Sequence, residues 1–117
     1  MKKQSSTPKI ELANEILKEN LTKILSVEEW AKACGYRNAD SFSRRYRNQF
    51  GIRPKHAMVK HRLKKAKQML IEEPEISCYE VAQAIGKRDE KELHRYFITH
   101  TQNPPSFYRE KRSENRD

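Results

Sequence analysis

Glycine is scarce in this chain. There are 3 in 117 residues, none in a glycine-rich run. That excludes the phosphate-cradling loops that need several glycines at short spacing. Cysteine is as sparse, with only Cys34 and Cys78, too few for a disulfide scaffold or a Cys/His metal cluster. Both fall at apolar positions and read as reduced core residues of a cytoplasmic protein. His56 and His61 stand five apart, neither three nor four, so they make no helical metal pair. No stretch approaches the ~20 apolar residues of a membrane span, and no charged leader runs into an apolar segment with a cleavage site. Nucleophile–base pairs are missing, and the scattered carboxylates form no acid/base dyad. The chain therefore reads as no enzyme, with no metal and no cofactor.

Cations are abundant. Lys and Arg number 25 against 16 Asp and Glu, a formal net charge of +9. The excess is local: residues 37–67 hold 11 Lys/Arg and one acid, Asp40, for a net +10, whereas residues 68–95 are net −3. A basic disordered tail would lack apolar periodicity, but this stretch carries Phe42, Tyr46, Phe50, Val59, Leu63 and Ala66. It reads as folded structure with a basic face, and a polyanion such as nucleic acid is the simplest partner.

Periodicity finds helices and nothing that alternates long enough for a strand. The polar segment 1–9 reads as disordered. Ile10, Ala13, Leu17 and Leu21 predict an amphipathic helix over about 10–20. Ser26-Val27-Glu28-Glu29 has the capping-box pattern, in which Ser and Glu reciprocally satisfy two orphan amides. A short helix follows to Gly35, and a second spans about 39–50 and ends at Gly51. Pro54 suits the first turn of a long helix over 54–72, with Val59, Leu63, Ala66 and Leu70 on its apolar stripe. Lys55, Lys60, Arg62, Lys64, Lys65 and Lys67 occupy much of its remainder. A second box, Ser77 to Glu80, opens a helix ending at Gly86. Another covers about 90–100, and a last short one about 105–110, where Phe107 and Tyr108 pack it down. A loose tail is expected over 111–117. The class is all-α, with about seven helices.

An internal repeat organises these elements. Displaced by 51 residues, Ser26–Pro54 aligns with Ser77–Pro105 without a gap, and 8 of 29 positions are identical. The identities include the capping Ser26/Ser77, the small Ala31/Ala82, the turn Gly35/Gly86 and Arg44/Arg95. One unit is used twice: a capped short helix, a tight glycine turn and a second helix, which is a helix-turn-helix. Helical hairpins often serve packing alone. Here the +10 stretch begins at the first unit's turn and covers its second helix.

These residues resemble the DNA-binding domain of the AraC/XylS family of bacterial transcription regulators. The matching pieces are Ala33-Cys34-Gly35-Tyr36, Phe42-Ser43-Arg44-x-Tyr46, Phe50-Gly51-Ile52-x-Pro54 and Arg62-Leu63-x-x-Ala66-x-x-x-Leu70. The second half adds Ile76-Ser77, Val81-Ala82, Gly86, Leu93-x-Arg95-x-Phe97 and Pro104-Pro105-x-x-Phe107-Tyr108-Arg109. The resemblance spans about residues 10–110. It implies helix-turn-helix subdomains over 10–53 and 74–110, joined by a linker helix over 54–73. It further implies double-stranded DNA as partner, read by recognition helices about 39–50 and 90–100 in successive major-groove segments ~34 Å apart. RNA polymerase is a further implied partner. An effector or dimerisation domain would lie outside the chain, whose polar start reads more as an excised C-terminal domain than as a complete protein.

By position, the family's base-reading residues fall on Ala39, Asp40, Ser43 and Arg44, and on Glu90, Lys91, His94 and Arg95. Arg44 can donate to guanine O6 and N7, Asp40 can accept from a cytosine amine or orient Arg44, and Ala39 can touch a thymine methyl. Arg37, Arg45, Arg47, Lys55 and Arg88 suit phosphates, which anchor without reading sequence. The second unit departs from the pattern. Lys87 stands where the family has an aromatic, Gln102 stands where it has glycine, and Asp89, Glu90 and Glu92 oppose phosphates unless they are paired. The expectation is an unequal grip, with the first unit and the linker dominating. Two other classes stay open: a basic architectural module without sequence preference, and a helical domain that docks an acidic protein.

Overall fold

The structure, a computed structural model, describes residues 10–115, with side chains over 10–110. The expected disorder of 1–9 lies outside the described residues. The regular elements of the described residues are all helical, with no strand: a 3-10 turn at Ile10–Leu12, then α1 (Ala13–Lys18), α2 (Val27–Ala33), α3 (Ala39–Phe50), α4 (Pro54–Glu72), α5 (Cys78–Ala84), α6 (Glu90–Thr101) and α7 (Pro105–Asn115). The chain separates into two compact units between Met58 and Val59, each with its own core.

Trp30 centres the first core. It is fully buried, with its ring centroid 5.1 Å from those of both Phe42 and Tyr46. Tilted ring pairs at this spacing add about 0.5–1.5 kcal/mol each beyond area burial. Both polar aromatics find partners: Trp30 Nε1 donates to the Ala13 carbonyl at 2.9 Å and Tyr46 Oη to Asn14 Oδ1 at 2.6 Å. These bonds tie α1 to α2 and α3. The helix expected over about 10–20 opens as the 3-10 turn, runs on into α1 and stops at Lys18. The Asn20 side chain donates to the Ile16 carbonyl at 2.8 Å, and its backbone N–H turns to Leu17 at 2.9 Å, three residues back instead of four. Asn competes with the helical ladder in this way.

The second core is mainly aliphatic: Leu63, Ala66 and Leu70 of α4, Val81, Ala82 and Ile85 at α5, and Leu93 of α6, with Phe97 of α6 as its buried aromatic. The expected α4 stripe is there, with Val59 half-buried at its edge. Tyr108 meets Phe97 edge-on at 5.6 Å, whereas Phe107 is exposed. Helix α7 continues to Asn115, past the expected end at 110. Nothing from Ser106 onward breaks a helix, and Glu, Lys and Arg are good helix formers. Residues 116–117 lie outside the described residues.

Both helix-turn-helix turns close the same way. Tyr36 N–H donates to Ala31 O (2.9 Å) and Gly35 N–H to Lys32 O (3.0 Å); Lys87 N–H donates to Ala82 O (2.8 Å) and Gly86 N–H to Gln83 O (3.2 Å). This paired bonding is the Schellman motif, which satisfies the last carbonyls of α2 and α5. The caps differ slightly. Ser77 and Glu80 form the full reciprocal box. Ser26 accepts from Glu29 N–H at 3.1 Å, but Glu29 Oε1 accepts from Leu25 N–H at 2.7 Å, one residue before the expected donor.

Candidate nucleic-acid interface

Helix α3 begins at Asn38, whose side chain accepts from Ser41 N–H at 2.9 Å. Phe42 and Tyr46 fix its inner face in the first core. Asp40, Ser43, Arg44 and Arg47 follow at helical intervals of three, one and three, a single outward stripe. Asp40, Arg44 and Arg47 are exposed, Ser43 half-buried. Arg45 is exposed on the flank, and Arg37 precedes the helix, also exposed. Among the described residues none of these four arginines forms an ion pair or side-chain hydrogen bond, and no ion pair joins Asp40 to Arg44. Half-buried Ala39 lines a shallow groove with Asp40, Arg37 and Asn38 at the mouth of α3. Lys55 is exposed in the first turn of α4.

The second unit carries different side chains on the same backbone. Glu90, Lys91, His94 and Arg95 are all exposed. The first three line a groove at the mouth of α6 with Pro104 and Pro105. The three acids there do not act alike. Asp89 caps α6, accepting from Glu92 N–H at 2.9 Å, and Glu92 Oε1 accepts from Arg88 N–H at 2.6 Å. Two carboxylates are therefore spent on orphan amides at the positive end of the helix. Only Glu90 remains without a partner among the described residues. Arg88 stays exposed, with one guanidinium nitrogen 4.0 Å from Glu92 Oε2. Asp-x-x-Glu at 89–92 is itself a capping pattern, so the role was legible.

Three further residues of this unit are decided by packing. Arg62, counted above with the basic face of α4, is buried, and its Nε donates to the Ile85 carbonyl at 2.9 Å. Burial pushes its pKa down, with Tyr96 opposing. Lys87, in the place of the aromatic, sets its ammonium 4.0 Å over the Tyr96 ring. Its pKa is lowered by burial, raised by Glu92 and lowered again by Arg62. Gln102 follows α6 at φ 67, and is the only non-glycine at positive φ among the described residues. The 51-residue register also pairs Arg45 with Tyr96, half-buried, and Arg47 with Ile98, 40% exposed. The outer face of α6 thus lacks two cations that α3 has.

Among the described residues no helix is long and apolar enough to cross a membrane, and no group of His, Cys, Asp and Glu could hold a metal ion.

No family model matches the chain, and no curated protein does. Solved structures do. The DNA-binding domain of AdpA, a global transcriptional factor solved in complex with a target DNA, is 25% identical, with a TM-score of 0.77 over 94% of this chain and 97% of that one. The C-terminal domain of the two-component response regulator YesN from Fusobacterium nucleatum is 25% identical, with a TM-score of 0.73 over 85% of this chain and 95% of that one. An AraC-type transcriptional regulator from Chromobacterium violaceum is 20% identical, with a TM-score of 0.73 over 89% of this chain and 91% of that one. Architecture and resemblance converge over nearly the whole chain, which has an AraC/XylS-like tandem helix-turn-helix fold.

Proposed function

We propose that this chain binds double-stranded DNA sequence-specifically, as the DNA-binding part of a bacterial transcription regulator. One observation carries the reading: α3 is anchored by an aromatic core and turns outward a stripe that includes Arg44 and Arg47, flanked by Arg45 and Arg37, none engaged by the described part of the protein. Unpaired guanidiniums on a rigid helix suit guanine edges and phosphates. Ala39, Asp40, Ser43 and Arg44 read bases from α3. Glu90, Lys91, His94 and Arg95 stand at the corresponding positions of α6. Arg37, Arg45, Arg47, Lys55 and Arg88 hold phosphates. The DNA-bound AdpA neighbour supports the same reading. RNA polymerase is the further partner a regulator of this kind would touch.

Selection from a pool of random duplexes tests it. Enrichment of a defined sequence is the expected result, with affinity that falls steeply as salt rises because phosphate contacts release counterions. Uniform uptake of all duplexes would favour a basic architectural module. No uptake would turn the basic face toward an acidic protein.

A further inference from the structure

We infer that Glu90 is a base-discriminating acceptor in the second unit, where its carboxylate lowers general affinity and favours a cytosine. The inference rests on the DNA-binding reading above. In the 51-residue register Glu90 takes the place of Ala39, a small neutral side chain. An acid in the first turn suits the helix dipole, but no hydrogen bond of the local structure calls for the exchange. The α6 N-terminus is already served by Asp89 and Glu92, each hydrogen-bonded to a backbone amide. Glu90 adds no bond to that cap. Its carboxylate is exposed and unengaged among the described residues, although Lys91 and His94 line the same groove.

An ionised carboxylate only accepts hydrogen bonds. In the major groove cytosine offers its N4 amine alone, guanine offers N7 and O6 acceptors, and thymine offers O4 and a methyl. Adenine sets its N7 acceptor beside the N6 donor. A fixed carboxylate is therefore matched by cytosine and opposed by guanine and thymine, which makes it stronger at rejection than at attraction. The rest of the unit amplifies the rejection. Tyr96 and Ile98 occupy the places of Arg45 and Arg47, so few phosphate contacts remain to offset a wrong base.

The experiment compares wild-type chain, Glu90→Gln and Glu90→Ala in random-duplex selection, followed by titration of the selected duplexes at fixed low salt. Glutamine keeps the shape and adds a donor; alanine restores the residue of the first unit. Matching melting curves by circular dichroism establish that the variants fold. In the expected result the wild-type motif requires a cytosine at one position, and both variants lose that requirement. Both then bind duplexes lacking the cytosine about tenfold tighter than wild type does. An unchanged motif with unchanged affinities overturns the inference and leaves the DNA-binding reading standing. A wild-type chain that enriches no motif overturns both.

Discussion

In the first unit an aromatic core, Trp30 with Phe42 and Tyr46, backs a helix whose outer face carries Arg44, Arg45 and Arg47. In the second a mainly aliphatic core, with Phe97 in place of the Trp30 cluster, backs a helix with Arg95 alone at those positions, beside Tyr96 and Ile98. The turns, caps and helix lengths match almost residue for residue. Backbone plan and outward-facing chemistry are thus set by different positions of one repeat. Buried alanines, turn glycines and caps maintain the plan, while the outward stripe is free to change. A shared fold therefore does not imply a shared share of the binding.

Four substitution experiments break or sharpen this contrast. The largest effect falls on the cores. Trp30→Ala removes a fully buried ring and should cost about 3–5 kcal/mol of stability, whereas Val81→Ala, the same repeat position, should cost about 2 kcal/mol. Urea unfolding followed by circular dichroism measures both. Comparable losses would show that the aromatic cluster is not the stronger core.

Binding comes next. Arg44→Ala should weaken the selected duplex about 10- to 100-fold, the scale of one lost guanine contact. Arg95→Ala should lose clearly less across a salt series. An equal or larger loss for Arg95→Ala would reverse the ranking of the two units.

A smaller pair of effects has opposite signs. Gly51 has φ 81 with no atom within 4 Å of an added Cβ, so Gly51→Ala costs only the left-handed backbone, about 1 kcal/mol. Gln102 holds the matching place at φ 67, so Gln102→Gly should stabilise by about 0.5–1 kcal/mol. Thermal melts of the two variants should move in opposite directions.

The subtlest is a pH effect confined to the first unit. Burial raises the Cys34 pKa from 9.0 to about 11. The folded state therefore holds this proton more tightly than the unfolded chain does. That contribution is complete below about pH 9 and is lost as pH rises toward 11. Between pH 7 and 10 wild type should lose more stability than Cys34→Ala. An equal loss would show that the thiol stays accessible to water.

Most of the fold was legible because punctuation is strong. Gly35, Gly51, Pro54, Pro74 and Gly86 bound the helices, and the 51-residue register places the second set on the first. What escaped was the allocation of charged side chains between interior and surface. Arg62 stands four before Ala66 and eight before Leu70, on the side of α4 that packs, yet a count of cations assigns it to the exposed face. Asp89 and Glu92 count as negative charge by composition, and only their Asp-x-x-Glu spacing, a capping pattern, gives away that both act as caps. The Glu29 carboxylate accepts from Leu25 N–H instead of Ser26 N–H, a choice that residue types do not specify. In the candidate site, the exposure of Arg44 follows from helical periodicity, whereas the isolation of Glu90 emerged only when its two acidic neighbours were found engaged.

Trp30 has a spectroscopic consequence. It is the single tryptophan of the chain, and it lies at the centre of the first core. Its emission is therefore a native label for one unit, while far-ultraviolet ellipticity sums the helices of both. Unfolding curves from the two signals coincide only if the units melt together, so an unmodified sample suffices to read their cooperativity.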